Sequence, residues 1–216
     1  MTLELFALEP EHPLQFEMRL RQQGFRMVAG IDEAGRGPLA GPVLAAAVVL
    51  PESFDLPGLT DSKKLSAAAR ERLFPLIRQQ AVAVGVALAS AAEIDRYNIL
   101  QATLKAMQRA VGQLRLAPDY LLVDGITPLP VTTPQQTLKK GDSRSLSIAA
   151  ASVIAKVVRD RLMVHYDRRY PDYGFAGHKG YGSAAHRQAI AEFGPCPIHR
   201  TSFRGVKEYL PATDIC

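Results

Sequence analysis

The sequence predicts an α/β protein: one mixed sheet with helices on its faces and a small helical extension at its C-terminal end. Three observations predict it. Short continuous apolar runs of strand length, at residues 27–31, 42–50, 81–89 and 120–123, alternate with longer segments that carry helix caps and helical apolar spacing. Two of those runs feed straight into acidic residues close to glycine, Asp32-Glu33 ahead of Gly35 and Asp124-Gly125, which puts charge at the end of a sheet. From about residue 170 the chain turns to short helix and loop, rich in Gly, Pro, His and Arg.

In chain order, residues 27–31 form a short buried strand, 42–50 an apolar strand closed by Pro51, and 81–89 (AVAVGVALA) a third. Between the second and third, Ser66 caps a helix to about residue 78 on Leu73, Phe74, Leu76 and Ile77. Pro75 lies inside it and is expected to kink it or end it early, since proline removes a hydrogen bond and its ring crowds the preceding turn. Ser90-Ala91-Ala92-Glu93 has capping-box spacing and opens a short helix. Asn98 is placed to cap a longer one, to about residue 114, with the stripe Ile99, Leu100, Leu104, Met107 and Val111. Residues 120–123 (YLLV) are a fourth buried strand. After a loop with Pro128, Pro130 and Pro134, residues 136–140 make a weaker fifth strand that ends at Gly141-Asp142. The alanine-rich run from Ser147 predicts a long helix to about residue 166.

With 216 residues the chain has room for one large domain, with or without a small appendage. Its 47% hydrophobic and 22% charged residues are those of a soluble globular protein, and no apolar run approaches the roughly 18 residues a membrane span needs. The start carries Glu4, Glu9 and Glu11 without Lys or Arg up to residue 15, unlike a secretory signal. Cys196 and Cys216 are too few for a disulfide framework and lack metal-ligand spacing. A reduced cytoplasm is the expected address. Without a repeat or heptad, a monomer is the expected state. The net charge of +5 is uneven: residues 126–216 hold 13 basic against 7 acidic residues, and residues 1–125 hold 13 against 14. A basic second part fits a polyanionic partner.

Four acids stand out by position: Asp32, Glu33, Asp124 and Asp142. If the first and fourth strands are neighbours, Asp32 and Asp124 meet at one end of the sheet. Clustered carboxylates repel one another unless a cation sits between them, and an all-oxygen site suits a hard ion such as Mg²⁺ or Mn²⁺. Neighbouring strand residues point to opposite faces, so either the strand ends at Asp32 or the longer Glu33 curls back. Each acid alone reads as a surface or capping residue. Four at element ends, three of them beside or near glycine, favour a site. The adjoining Gly35-Arg36-Gly37 can bring backbone against a ligand, and an arginine held there is shaped for phosphate.

At this point the chain resembles a known family. The run Gly30-Ile31-Asp32-Glu33-Ala34-Gly35-Arg36-Gly37-Pro38 resembles the opening motif of bacterial ribonuclease HII, the type 2 ribonuclease H. Asp61-Ser62-Lys63-Lys64-Leu65, Val123-Asp124-Gly125, and Lys140-Gly141-Asp142 leading to the Ser147 helix follow in the expected order. His178-Lys179-Gly180-Tyr181-Gly182 and His199-Arg200-Thr201-Ser202-Phe203 complete the set. The match spans roughly residues 27–204. The departures, Ser183 and Val158 where threonine is frequent, touch no acid.

The resemblance implies a ribonuclease H-like domain over residues 27–169 and a C-terminal helical substrate-binding segment over 170–216; residues 1–26 are an extension to which no role is assigned. It implies a metal-dependent endoribonuclease that cuts the RNA strand of RNA–DNA hybrids and also cuts 5′ of single ribonucleotides in duplex DNA, leaving a 3′-hydroxyl and a 5′-phosphate. Such an activity belongs to ribonucleotide excision repair and DNA replication. Asp32, Glu33, Asp124 and Asp142 would be both catalytic and metal-holding, in a two-ion mechanism with Mg²⁺ or Mn²⁺. Gly35, Arg36 and Gly37 would read the 2′-hydroxyl, Tyr181 would stack on the next deoxyribose, and Lys63, Lys64 and Lys179 would contact phosphate. The histidines of the second part are expected to be structural or to touch phosphate, and the Ser147 helix to be core.

Three other readings compete. A nucleotide-binding module fares poorly, because no G-x-x-x-x-G-K-[ST] run exists and residues 35–40 precede a strand-like run where a dinucleotide fold needs a helix. A non-catalytic nucleic-acid binder leaves four acids unexplained. The alternative within the enzyme class is another ribonuclease H-like metal-dependent nuclease, of junction resolvase or transposase type.

Overall fold

In the computed structural model residues 14–210 are described; the start with Glu4, Glu9 and Glu11 lies outside them, as does Cys216. Five strands form one mixed sheet: β1 (Val28–Ala34), β2 (Val43–Val49), β3 (Ala83–Ala89), β4 (Tyr120–Asp124) and β5 (Gln135–Leu138). Their spatial order is β3-β2-β1-β4-β5. The first three form an antiparallel meander. β4 pairs parallel with β1 and with β5.

Strand alternation divides the core. Along β2, Val43, Ala45, Ala47 and Val49 join a cluster with Ala102, Ala106, Met107 and Ala110 of α3 (Ala91–Gly112). Leu44, Ala46 and Val48 point the other way, toward Leu73 and Ile77 of α2 (Ala67–Gln80) and Val153 and Ile154 of α4 (Leu146–Arg169). This period-2 split over two helical layers is what buries a β2 of seven apolar residues completely. α4 runs against β1 with no gap: at Gly30 an added Cβ would overlap the Ser147 backbone.

Most predicted elements form, with informative shifts. The capping box at Ser90 is complete. At Asn98 the backbone leaves the helix (φ 65°, ψ 164°) while its side chain accepts from Gln101 N–H at 3.1 Å, so two predicted helices meet there in a sharp kink. Pro75 neither ends nor shortens α2, which runs to Gln80. Pro75 and Glu71 both lie on the exposed face, where the carbonyl that loses its partner can be solvated. β1 extends beyond residue 31 to Ala34 because β2 pairs with it that far. β5 stops at Leu138, not at residue 140, and Lys140 adopts a left-handed turn (φ 56°). A helix unforeseen from sequence, α1 (Gln15–Gln22), packs Leu20 and Phe16 against Leu122, Leu138 and Ile148. No side chain caps it, so it carries no start signal. No helix among the described residues is long and apolar enough to cross a membrane.

After α4 the chain forms α5 (Phe175–His178) and α6 (Ala184–Phe193), and Phe175, Ile190 and Val206 pack on Leu39, Ala40 and Met163. Three histidines are part of this structure. Cys196 N–H donates to His199 Nδ1 at 2.9 Å, so neutral His199 carries its proton on Nε2 and donates to His186 Nε2 at 3.0 Å. His186 is then protonated on Nδ1 and donates to the Tyr181 carbonyl at 2.9 Å. His178 stacks on His186 with centroids 4.3 Å apart. The series has room for one proton per ring. Burial pushes both His186 and His199 down from 6.5 to about 4.

The sign follows from linkage. These rings favour the folded state fully above pH 6.5, and that stability is lost as pH falls from 6.5 toward 4. The melting temperature is therefore expected to drop across this window. The drop should be shallower in His199→Gln, measured by thermal melts at closely spaced pH; an equal slope in the variant would remove the pair as its source.

Candidate active site

Pairing β1 with β4 in parallel fixes the site. Ile31 sits opposite Val123, so Asp32 and Asp124 leave the sheet side by side on the α4 face. Asp32 is buried at 2% exposure and its carboxylate accepts the Glu33 N–H at 2.7 Å. Glu33 lies within the strand, which does not end at Asp32, and its longer side chain reaches round to join the pair. Each of Asp32, Glu33 and Asp124 offers one oxygen, all within 4.8 Å of one another. Burial raises all three carboxyls above their ordinary range; the Glu33 and Asp124 charges add to this at Asp32. At Glu33 the Arg36 guanidinium opposes the rise, and at Asp124 the Gly141 N–H does so.

Asp142 stands apart from this trio. It is buried in the 3-10 turn Gly141–Ser143, where the Gly141 N–H donates to Asp124 Oδ1 at 2.6 Å and Lys63 Nζ lies 3.1 Å from Asp142 Oδ2. The turn thus abuts the trio through Asp124. Lys63 and Lys64 line a second opening of about 440 Å³ beside Asp124 and Asp142.

The Gly35-Arg36-Gly37 loop is held from below. Gly35 has φ +95°, and an added Cβ would overlap the Arg159 side chain. Arg200, fully buried, donates to the carbonyls of Gly35 (2.5 Å), Arg36 (2.7 Å) and Gly41 (3.0 Å). Arg159, also fully buried, donates to those of Pro42, Ala40 and Lys179. Arg36 itself points outward, 3.5 Å from Glu33 and half exposed. Tyr181 is 47% exposed, and its Cε1 lies 3.8 Å from where a Cβ on Gly37 would be. Together with the trio, this loop and Tyr181 enclose a cavity of about 250 Å³. Lys179 does not line it: its ammonium donates to the Ala176 carbonyl, and it borders a separate groove with Val157 and Val164.

The arrangement is a cluster of hard oxygen donors raised by burial, next to a rigid loop with an arginine at its rim and an open aromatic face. Asp, Glu and Asp with no sulfur or imidazole among them fit a hard divalent ion. Comparison with known proteins agrees. The family model described as Ribonuclease HII matches residues 29–206. The chain belongs to the ribonuclease HII family. It is 71% identical to a ribonuclease HII of Syntrophotalea carbinolica over 96% of this chain and 100% of that one. It is 63% identical to the Geobacter metallireducens ribonuclease HII over 97% and 99%. Among solved structures, the ribonuclease H2 of Pyrococcus horikoshii superposes with a TM-score of 0.70 at 28% identity, over 84% of this chain and 96% of that one. The fold is of ribonuclease H type, and the chain is a nuclease hydrolase of a family that depends on divalent metal.

This ribonuclease HII chain also brings residues to the cavity that the sequence reading passed over. Ser62 and Ser152 share a hydrogen bond of 2.7 Å, and Ser152 also bonds Asp32. Arg70 and Lys156 complete the wall. Ser152 and Lys156 lie four apart on α4, a polar pair in the otherwise apolar stretch 148–158. That spacing was their available signal. Arg159 had none, and Arg200 stood in the His199–Phe203 motif without a role, because the acceptors of both are carbonyls distant in sequence.

Raised folded pKa values mean that, without a cation, the trio's carboxylates cost stability as pH rises through the carboxylate range into those values. A divalent ion binds only the ionised forms and reverses that cost. Saturating Mg²⁺ or Mn²⁺ is expected to stabilise by about 2.7 kcal/mol at 100 times Kd, roughly 5–10 °C in melting temperature. The gain should be larger at pH 8 than at pH 5. An ion-independent melting curve at pH 8 would argue against a metal site here.

Proposed function

We propose that this enzyme hydrolyses the RNA strand of RNA–DNA hybrids and cuts 5′ of single ribonucleotides in duplex DNA, with Asp32, Glu33, Asp124 and Asp142 as its metal-holding catalytic acids. The convergence of three raised carboxylates beside a braced Gly-Arg-Gly loop carries this reading. Two Mg²⁺ or Mn²⁺ ions bound by these acids would supply the charge that activates water and stabilises the leaving 3′ oxygen, giving 3′-hydroxyl and 5′-phosphate ends. The carboxylates orient that charge; Ser152 and the Gly141 N–H fix the rotamers of Asp32 and Asp124.

Arg200 and Arg159 occupy the carbonyls beneath the loop and leave its outer backbone groups for the ribose. Discrimination by a 2′-hydroxyl needs a backbone that does not yield, and six buried guanidinium bonds resist displacement. Arg36 and Lys63 are placed to exchange a carboxylate partner for a phosphate, with Lys64 beside them. Lys179 is the weakest of the phosphate assignments, since its ammonium is engaged at Ala176. Residues 170–216 act as the substrate-binding segment by presenting Tyr181. On this reading the enzyme works as a monomer in the cytoplasm.

Asp32→Asn and Asp124→Asn are expected to reduce cleavage of a duplex with one embedded ribonucleotide to background while the circular dichroism stays native, because an amide is a poor ligand for a hard cation. Asp142→Asn should lower activity less. Near-normal rates in a folded Asp124→Asn would remove it from the site.

Tyr181→Ala should slow cleavage at an RNA–DNA junction more than cleavage inside continuous RNA. Aromatic stacking is worth about 1–3 kcal/mol, roughly 5- to 150-fold, and a sugar face is taken to be on that scale. The ratio of the two rates, in wild type and variant, is the measurement. An unchanged ratio would make Tyr181 a packing residue only.

A further inference from the structure

Glu17 is a buried acid outside the cavity, 1% exposed on α1. Its Oε1 accepts the Ser145 hydroxyl at 2.6 Å and the Ser147 N–H at 3.0 Å. Its Oε2 has no hydrogen-bond partner among the described residues. A buried carboxyl with an unmatched oxygen is costly. α1 is held on the sheet by Leu20 and Phe16, which pack on Leu122, Leu138 and Ile148, so its docking has an apolar basis apart from the Glu17 carboxyl. Such a group specifies a geometry more than it stabilises the fold.

The geometry in question is the turn that carries Asp142. Ser145 caps α4, its hydroxyl accepting from Ile148 N–H at 3.2 Å, while its own N–H donates to the Gly141 carbonyl at 2.8 Å. Gly141 in turn donates to Asp124 Oδ1 at 2.6 Å. One line of hydrogen bonds therefore runs from Glu17 through Ser145 and Gly141 to Asp124, with Asp142 inside the turn it closes. A second contact supports it: the Arg144 guanidinium lies over the Phe16 ring at 5.1 Å. The end of α4 that receives the carboxylate is its positive one.

We infer that Glu17 is a positioning residue, through which α1 sets the Gly141–Ser145 turn and hence Asp142 relative to Asp124. This gives part of the N-terminal extension a role in the reaction, and it rests on the reading of Asp142 as a site acid. Glu17→Leu keeps the volume and removes both hydrogen bonds; Glu17→Gln keeps an acceptor oxygen for both. Misplacing a catalytic group by about 1 Å can cost 10²-fold, so Glu17→Leu is expected to lower kcat by about 10- to 100-fold with KM and melting temperature little changed. Glu17→Gln should restore most of it. In metal-free protein, Gly141 amide hydrogen exchange should quicken in Glu17→Leu but not in Glu17→Gln. Ser145→Ala, which removes the hydroxyl and leaves Glu17 in place, should reproduce the kcat loss and serves if Glu17→Leu does not fold.

The two readings separate in a double-mutant comparison. If Glu17 acts through Asp142, Glu17→Leu adds nothing to the loss already caused by Asp142→Asn. Full multiplicative losses, or normal kcat with normal Gly141 exchange in Glu17→Leu, would overturn the positioning role. A folded Asp142→Asn with wild-type kcat would instead remove Asp142 from the site, and this inference with it.

Discussion

The contact between Gly30 and the Ser147 backbone sets the level at which α4 crosses the sheet, and every part of the site is referenced to that helix. A side chain at residue 30 would lift α4 off β1. At its N-terminus α4 begins from the turn that holds Asp142. One turn and a half further on, Ser152 reaches Asp32. Another two turns on, Arg159 supports the loop after β1, and Met163 then receives the C-terminal segment. A shift of the helix would move all four together. The alanines at 149, 150, 151 and 155 follow from the same constraint, since only small residues let a helix lie that close to a strand.

Arg159 and Arg200 solve a different problem. The chain between β1 and β2 doubles back in a short distance, which leaves carbonyls buried without ladder partners. A buried C=O must be satisfied, and here guanidinium forks do it for Gly35, Arg36, Ala40, Gly41 and Pro42. Burial drives Arg200 down to about 9, still charged at neutral pH. The loop thus acquires rigidity and fixed positive charge beneath it from the same atoms.

What was legible in the sequence was what local physics dictates. Ser66, Ser90 and Asn98 cap because their side chains reach an N–H two or three residues on, and the β2 run is apolar throughout because both its faces are covered. The acids were legible after apolar strand runs, although β1 continues past Asp32 and Glu33 to Ala34, and Glu33 joins the others through its longer side chain. Pro75 misled because a missing hydrogen bond matters less on a solvated face. α1 was missed because its stability comes from Leu20 and Phe16 meeting residues more than 100 positions away. The histidines were expected to be structural or to touch phosphate, but the wiring of their series, like the acceptors of the buried arginines, was illegible because those partners come together only in the folded chain.

The polar balance around the trio is deliberately incomplete in electrostatic terms. Asp32 and Asp124 are raised by burial and by like charge, and the cations paired with the neighbouring acids are the exposed ends of Arg36 and Lys63, at 3.5 Å from Glu33 and 3.1 Å from Asp142. The two differ: Arg36 is half exposed and weakly tied to Glu33, whereas Lys63 faces a buried carboxylate, which its release would leave uncompensated. The buried cations, Arg159 and Arg200, are by contrast hydrogen-bonded to carbonyls. Of these four basic groups, two are fixed beneath the loop and two have exposed ends, while Arg70, bonded to the Ser62 and Leu65 carbonyls, and Lys156, paired with Asp160, stand in the cavity wall. The fixed pair maintains the loop, and the exposed pair supplies the positive charge that faces Glu33 and Asp142.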